Sequence, residues 1–374
     1  MTKKVCMVMT DAISFNVLCR GQLEFLVENY DVELTLVSGG DDSQHEILDS
    51  RAVGRSVRIP FRRKPDLGSD LTNLLRLFWF FLFNRFDVVV YSTPKAMLLA
   101  SIASFLTVQR RRVCLIRGRA YEGYEGSKRR IFLLLDALAI RMSSSVLAIS
   151  KSLKNAYIAD GFLADTIDVL GLGSSNGVNL EKFHPVQIKN RDCSKFRVGI
   201  VGRVCADKGV LELDEVIRGI KKHRPDVKFT VVGRIEDESG ERFARAWIHD
   251  GLVDYVENER KIEEVFQGLD LHLFLSHREG FGNVALEAAA CGVPTFGFDV
   301  VGVRDSVNDN ISGRLFDLGD TLGVIEAIAA AVDDPGSFRN QFKGCREWVI
   351  ENFDQKVVWR RYYDFYLNGR SNLC

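Results

Sequence analysis

Two carboxylates eight residues apart bracket a glycine-rich turn in Arg278-Glu279-Gly280-Phe281-Gly282-Asn283-Val284-Ala285-Leu286-Glu287. Leu271-His272-Leu273-Phe274-Leu275, just before it, is short and apolar and reads as a buried strand. Ala285 to Cys291, just after it, reads as a small-residue helix that stops at Gly292 and Pro294. A turn between a strand end and a helix start leaves backbone N–H groups unpaired, and these together with the helix dipole favour an anion. Glu279 on the rim and Glu287 farther along the helix would repel that anion, so they suit hydroxyl groups of a sugar or ribose. An ordinary strand-to-helix turn fits the local pattern equally well.

The elements that must position this turn alternate between strand and helix along the whole chain. Residues 4–10, 33–37, 57–60, 87–91, 113–116 and 145–150 read as strands, with helices predicted at 17–28, 71–83, 131–142 and 151–160. Ser150 reads as the cap of the last of these helices. Alternation at this spacing implies right-handed parallel units, and ligands of such sheets bind at the carboxyl ends of strands, where Asp11 to Ser14 stand. The Gly/Ser-rich stretch from Gly171 to Pro185 reads as a connector. The alternation then restarts, with strands at 196–201, 228–232, 252–256, 271–275, 293–297 and 312–316 and helices at 210–222 and 321–332. Residues 353–368 carry Val357, Trp359, Tyr362, Tyr363, Phe365 and Tyr366 at helical spacing, as a terminal helix packed on a core would. The expected organisation is a first domain over 1–172, a linker over 173–186, a second domain over 187–352 and a terminal helix over 353–374.

A chain of 374 residues accommodates two such domains, each with its own core. A net charge of zero argues against a general nucleic-acid binder. The charge is uneven, however: residues 1–140 hold 20 Lys+Arg against 15 Asp+Glu. Basic triplets at 62–64, 110–112 and 128–130 suit solvated surface individually, and collectively suit an anionic membrane face or a diphosphate-bearing acceptor. Eight scattered cysteines without metal-ligand spacing suggest free thiols in a reducing compartment, and the first ten residues run straight into a strand rather than a signal-peptide pattern. A cytoplasmic location is expected. Leu71–Phe83 is too short to span a bilayer and reads either as a core helix or as an aromatic face dipping into a membrane surface.

The wording Glu-Gly-Phe-Gly-Asn-Val-Ala-Leu-Glu-Ala, followed by Cys-Gly-Val-Pro and Asp299-Val-Val-Gly-Val-Arg-Asp305, closely resembles the E-x7-E region of family-4-type retaining glycosyltransferases. Asn176-Gly-Val-Asn179, continuing to Phe183 and Pro185, resembles a second segment of that family, with Asn179 where Asp is commoner. The resemblance implies an α/β protein of two Rossmann-like doubly wound domains facing across a cleft (GT-B), with the donor mainly on the second domain and the acceptor on the first. It implies a diphosphate clamp at Gly202-Arg203-x4-Lys208-Gly209, ribose hydroxyls on Glu287 and donor-sugar hydroxyls on Glu279. The backbone of Gly280, Phe281, Gly282 and Asn283 would hold the diphosphate or sugar. Glu279, Arg203 and Lys208 are then the catalytic candidates. Transfer of a hexose or N-acetylhexosamine with retention is implied, by front-face attack assisted by the departing phosphate. The nucleotide sugar is a substrate; no cofactor or metal ion is expected to be required.

Relatives often carry His-Gly at the first-domain strand end where this chain has Arg117-Gly118; an arginine cannot shuttle a proton near neutral pH. Arg117 and Ser14 are the acceptor-side candidates. The segments Val57–Leu67 and Ser92–Ala96 resemble the bacterial subset that extends lipid-linked surface polysaccharides. That likeness implies an undecaprenyl-diphosphate-linked saccharide as acceptor, a UDP-sugar as donor and a peripheral place on the inner face of the membrane. A same-fold epimerase would need titratable acid and base groups in the cleft, and the shortage of cleft histidines counts against it; a non-catalytic nucleotide-sugar-binding scaffold is the other alternative. A dinucleotide-binding dehydrogenase is disfavoured, because the first strand runs into Asp11-Ala-Ile-Ser-Phe-Asn rather than G-x-G-x-x-G.

Overall fold

The runs Cys6–Met9, Val88–Tyr91 and Val113–Ile116 are apolar at consecutive positions, the mark of parallel strands covered on both faces. A computed structural model describes residues 2–62, 64–119, 121–186 and 195–369 and bears out that reading. Arg63 of the first basic triplet, Ala120, residues 187–194 at the expected start of the second domain, Cys193 and residues 370–374 lie outside the described residues. The chain divides into two compact units, one of Met1–Asn176 with Lys356–Cys374 and the other of Gly177–Gln355.

Unit 1 runs β1 (Lys3–Asp11), α1 (Ala12–Leu18), α2 (Gln22–Asn29), β2 (Val32–Gly39), α3 (Asp42–Ser50), β3 (Arg55–Arg58), α4 (Leu67–Phe83), β4 (Val88–Ser92), α5 (Pro94–Leu106), β5 (Arg112–Ile116), α6 (Gly126–Arg141), β6 (Ser145–Ala148) and α7 (Lys151–Ala159). Its strands form one parallel sheet in the order β3-β2-β1-β4-β5-β6. The order reverses between β1 and β4, which defines the crevice where doubly wound sheets take ligands. There, Thr10 Oγ1 and Thr93 Oγ1 are hydrogen-bonded at 2.8 Å.

Unit 2 repeats the plan with β7 (Arg197–Val201), α8 (Val210–His223), β8 (Lys228–Val232), α9 (Glu238–His249), β9 (Val253–Val256), α10 (Ile262–Gln267), β10 (Leu271–Phe274), α11 (Asn283–Ala290), β11 (Thr295–Phe298), α12 (Val303–Ser306), β12 (Gly313–Phe316), α13 (Thr321–Asp333), α14 (Pro335–Gln341) and α15 (Cys345–Phe353). The sheet order is β12-β11-β10-β7-β8-β9, all parallel, with the reversal between β7 and β10. Its core joins Val198, Phe229, Val231, Leu271 and Phe296 from the sheet to Leu213, Val216, Ile217 and Trp247 from α8 and α9. Trp247 is fully buried, and its indole N–H donates to Asp214 at 2.8 Å, fixing α9 on α8.

Three sequence expectations are corrected. The single helix at 17–28 is two helices, broken at Gly21, whose φ of +73° suits glycine; a β-carbon there would lie 2.8 Å from the Trp359 ring. Helix α1 begins at Ala12 because Asp11 caps it, its carboxylate accepting from the Ile13 N–H at 3.1 Å. Ser14 therefore lies in the first turn of a helix rather than in an open loop. At the other end Phe353 closes α15, and a separate helix, α16 (Gln355–Asn368), follows the break at Asp354. The break is held by the connector: the Val178 N–H donates to the Phe353 carbonyl at 2.8 Å and the Gln355 N–H to the Val178 carbonyl at 3.0 Å.

From Lys356 on, α16 belongs to unit 1. Tyr363 donates to the Gln22 carbonyl at 2.9 Å, Tyr362 to the Ser174 carbonyl at 2.8 Å, and the Trp359 ring packs on Phe25. The six described cysteines are buried free thiols, at 6, 19, 114, 205, 291 and 345. Among the described residues no helix is long and apolar enough to cross a membrane.

Candidate functional site

The carboxyl ends of β7 and β10 adjoin at the strand-order reversal of unit 2, so the loops that follow them share one crevice. The loop after β7 carries Gly202 to Lys208, and the loop after β10 carries Ser276 to Gly282. Close approach of the two depends on Gly209, which has φ +73° and whose β-carbon would sit 2.1 Å from the Leu275 carbonyl oxygen. Only glycine lets the start of α8 lie against the end of β10, and that contact brings Lys208 to Glu279. Gly233 plays the same part on the other side, since a β-carbon there would fall 1.7 Å from the Gly202 carbonyl oxygen.

A cavity of about 290 Å³ opens at this crevice, with Gly202, Arg203, Lys208, Glu279, Phe281, Gly282 and Asn283 in its lining and Trp247 and Leu213 also along its wall. Seven of the nine donor-side residues singled out from sequence thus meet in one place. Gly280 is outside the lining, and so is Glu287, which sits half-buried on α11 one turn beyond Asn283. Ser14 and Arg117 belong to the other unit.

The cations are already matched with carboxylates. Lys208 Nζ is ion-paired with Glu279 Oε1, which also accepts from the Ser276 hydroxyl at 2.9 Å. Arg203 Nη1 reaches Glu236 Oε2 at 2.5 Å. On the rim, Arg278 grips Asp207 at 2.6 Å and His277 faces Glu212 at 2.9 Å. Burial disfavours the charge on Arg203, but the Glu236 carboxylate outweighs it and holds the guanidinium pKa above its ordinary value. Burial likewise raises the Cys205 thiol, with the Arg203 charge pulling the other way.

Exposure separates the two pairs. The Arg203 and Glu236 side chains are 52% and 43% exposed, so their attraction is worth about 0–1 kcal/mol and yields easily to a phosphate. Lys208 and Glu279 are each 16% exposed, and removing either partner strands a largely desolvated charge. An ammonium has three donors, so Lys208 can keep Glu279 and still reach a phosphate oxygen.

Glu236 escaped the sequence reading. Its position comes from loop pairing beyond the strands: the Val204 N–H donates to the Arg234 carbonyl at 2.9 Å and the Glu236 N–H to the Val204 carbonyl at 3.1 Å. Asp237 fastens the same loops, accepting from Ala206 N–H at 2.9 Å and, as the cap of α9, from Gly240 N–H at 2.7 Å. The glycine after β8 was the available signal, but it does not say which side chain turns back.

The expected set of open N–H groups in the glycine turn is also corrected. Gly282 N–H donates to the Gly302 carbonyl at 3.3 Å and Asn283 N–H to the Phe281 carbonyl at 3.0 Å. The turn folds onto the 300–302 segment, where Gly302 packs so closely that a β-carbon would meet the Glu279 carbonyl oxygen at 2.5 Å. Two of the turn's N–H groups are thus engaged within the protein.

In unit 1, Arg117 acts as a brace after β5. Its Nε donates to Ser92 Oγ at 3.0 Å and its Nη1 to Ser175 Oγ, tying the end of β4 to the 174–175 segment.

Residues 195–334 match the family model described as glycosyl transferases group 1, and residues 19–173 match that of the glycosyl transferase 4-like domain. A capsular polysaccharide biosynthesis glycosyltransferase of Staphylococcus aureus, CapM, is 31% identical over 365 residues, 93% of each chain. The N,N'-diacetylbacillosaminyl-diphospho-undecaprenol alpha-1,3-N-acetylgalactosaminyltransferase of Campylobacter jejuni is 25% identical over 202 residues, 51% of this chain and 52% of its own. Among solved structures, Anabaena Alr3699/HepE in complex with UDP and glucose matches with a TM-score of 0.78 at 17% identity, over 97% of this chain and 98% of that one. At that identity the likeness speaks for the fold.

Proposed function

Because the chain belongs to the glycosyl transferases group 1 family and is a glycosyltransferase of GT-B fold, we propose that it transfers a sugar, with retention, from a UDP-sugar to a lipid-diphosphate-linked saccharide. The setting proposed is bacterial surface-polysaccharide assembly at the inner membrane face. The observation that carries the reading is the convergence of Arg203, Lys208 and Glu279 on one cavity at the strand-order reversal of unit 2. Support for the acceptor comes from the relatives, one named for capsular polysaccharide and one for a diphospho-undecaprenol substrate.

In this reading the diphosphate draws Arg203 from Glu236 and takes a free donor of Lys208. Both cations remain beside the leaving group as its charge grows, which is where fixed positive charge lowers a barrier most. Arg203 offers a planar fork to two phosphate oxygens and Lys208 a point charge. Glu279, held by Lys208 and Ser276, receives sugar hydroxyls, and Glu287, on the helix α11 that follows the turn, receives ribose hydroxyls. The departing phosphate oxygen takes the acceptor proton on the attacked face, so no protein nucleophile and no metal ion is invoked.

The test is donor consumption across UDP-, GDP- and ADP-sugars with membrane lipid extract as acceptor, followed by determination of the product anomer. Consumption of a UDP-sugar that depends on the extract, with retained configuration, is expected. Inversion, or transfer only to a soluble sugar, contradicts the reading.

A further inference from the structure

Helices α4, α5 and α6 lie on one face of the unit 1 sheet, because β3 to β4 to β5 to β6 steps in one direction through right-handed crossovers. The middle helix is recessed, burying Ala96, Ala100, Ser101, Ala103 and Ser104. Its neighbours turn large apolar side chains outward. On α4, Asn73, Leu77 and Phe81 face the core, while Leu71, Leu75, Trp79 and Phe83, also four residues apart, are 61%, 52%, 53% and 77% exposed. On α6, Ile131 and Leu134 are exposed, and so are Leu106 at the end of α5 and Val108 just beyond it. Buried Gln109 joins these ends: its amide donates to the Phe81 carbonyl at 2.7 Å and the Asn84 carbonyl at 3.1 Å, and its Oε1 accepts from Phe86 N–H at 3.0 Å.

The charge on this face has one sign. The three helices contain two acids: Asp70 is paired with Lys95 at 2.7 Å, and Asp136 is buried, accepting from the Tyr157 hydroxyl at 2.7 Å. Arg76, Arg130 and Arg141 are exposed on the same helices. Among the described residues, an apolar face on whose three helices the exposed charges are cations fits an anionic lipid surface. A second copy of the chain would set arginine against arginine.

We propose that this three-helix face rests on an anionic phospholipid bilayer, with Trp79 and Phe83 entering the headgroup boundary and Arg76, Arg130 and Arg141 facing lipid phosphates. The assignment deepens the membrane part of the function proposed above and does not depend on its donor chemistry.

The test is flotation of the full chain with vesicles of phosphatidylcholine alone or mixed with phosphatidylglycerol. Binding to the mixed vesicles, weakened by salt, is expected. R76E/R130E/R141E should lower partitioning by about 100-fold, at roughly fivefold per residue. L75Q/W79Q should lower it strongly while leaving UDP-sugar turnover with detergent-solubilised acceptor unchanged. A brominated lipid should quench wild-type tryptophan emission and quench W79F less, a readout that needs no destabilised variant. Equal binding to both vesicle types, unaltered binding of the two multiple variants, or a dimer that buries Trp79 without vesicle binding would overturn the assignment. Failure of every nucleotide sugar to turn over would instead remove the donor reading and leave the vesicle result standing.

Discussion

Lys208 and Glu279, 71 positions apart in the chain, form an ion pair inside the unit 2 cavity, each with only 16% of its side chain exposed. The carboxylate neutralises the lysine that the proposed mechanism assigns to the diphosphate, and the lysine holds the carboxylate that it assigns to the sugar. The two roles are therefore separable by mutation. In Glu279→Ala, UDP should bind as well as in wild type or several-fold better, because Lys208 loses a competitor. Transfer from the UDP-sugar should fall by about 10²-fold, the scale of one lost charge-assisted contact in a transition state. Calorimetric UDP binding set against transfer rate makes the comparison.

Arg203 and Glu236 form the more exposed pair. Glu236→Gln should free the guanidinium and tighten UDP by no more than about fivefold, in line with the small worth of a half-exposed ion pair. Titration at low and high salt should show the gain shrinking with ionic strength. A loss of affinity would mean that Glu236 itself holds the nucleotide.

Gly209→Ala places a β-carbon against the Leu275 carbonyl at a positive φ. The loops after β7 and β10 should part, with a stability loss on the order of 1–3 kcal/mol and a larger proportional loss of donor binding. Thermal denaturation with and without UDP reads both. An intact ligand-induced stabilisation would show that the contact does not position Lys208.

Much of this site was legible in the sequence because it rests on local patterns. Apolar strand runs, glycines at their ends and the ordered wording around Glu279 and Glu287 sufficed for the fold and for seven lining residues. The remainder depends on distant partners. The break at Gly21 requires Trp359 from the terminal helix, and Glu236 joins the site through pairing of Val204 with Ile235. Helix α9 has little signature in sequence, being mostly polar with a glycine near its start, and it is the burial of Ala244 and Trp247 that anchors it. For Leu71–Phe83, composition gave no polar face; packing alone decided which apolar residues are inside.

Asp136 gives a pH prediction. Burial raises its carboxyl to about 6, opposed by the hydrogen bond from Tyr157. In the unfolded chain the group titrates near about 4, so between these values the native state holds the extra proton and stability falls as pH rises through about 6. Above that, the buried charge costs on the order of 2–3 kcal/mol. Asp136→Asn, which keeps an acceptor for Tyr157, should be more stable than wild type at pH 8 and should match it more closely at pH 4. Chemical denaturation at the two values tests the sign.

The proposed stabilisation of the leaving group by Arg203 and Lys208 predicts that EDTA leaves the transfer rate within about twofold, whereas a required metal ion would make it collapse, since such an ion contributes several kcal/mol.

In the proposed mechanism the unit 2 cavity binds the diphosphate of the donor through these two cations. The most direct measurement is the affinity of UDP for wild type, Arg203→Ala and Lys208→Ala by calorimetry on the full chain. Loss of about tenfold or more in each variant, with the fold intact by circular dichroism, is the expected result. Wild-type affinity in both variants would contradict the claim and move the donor elsewhere.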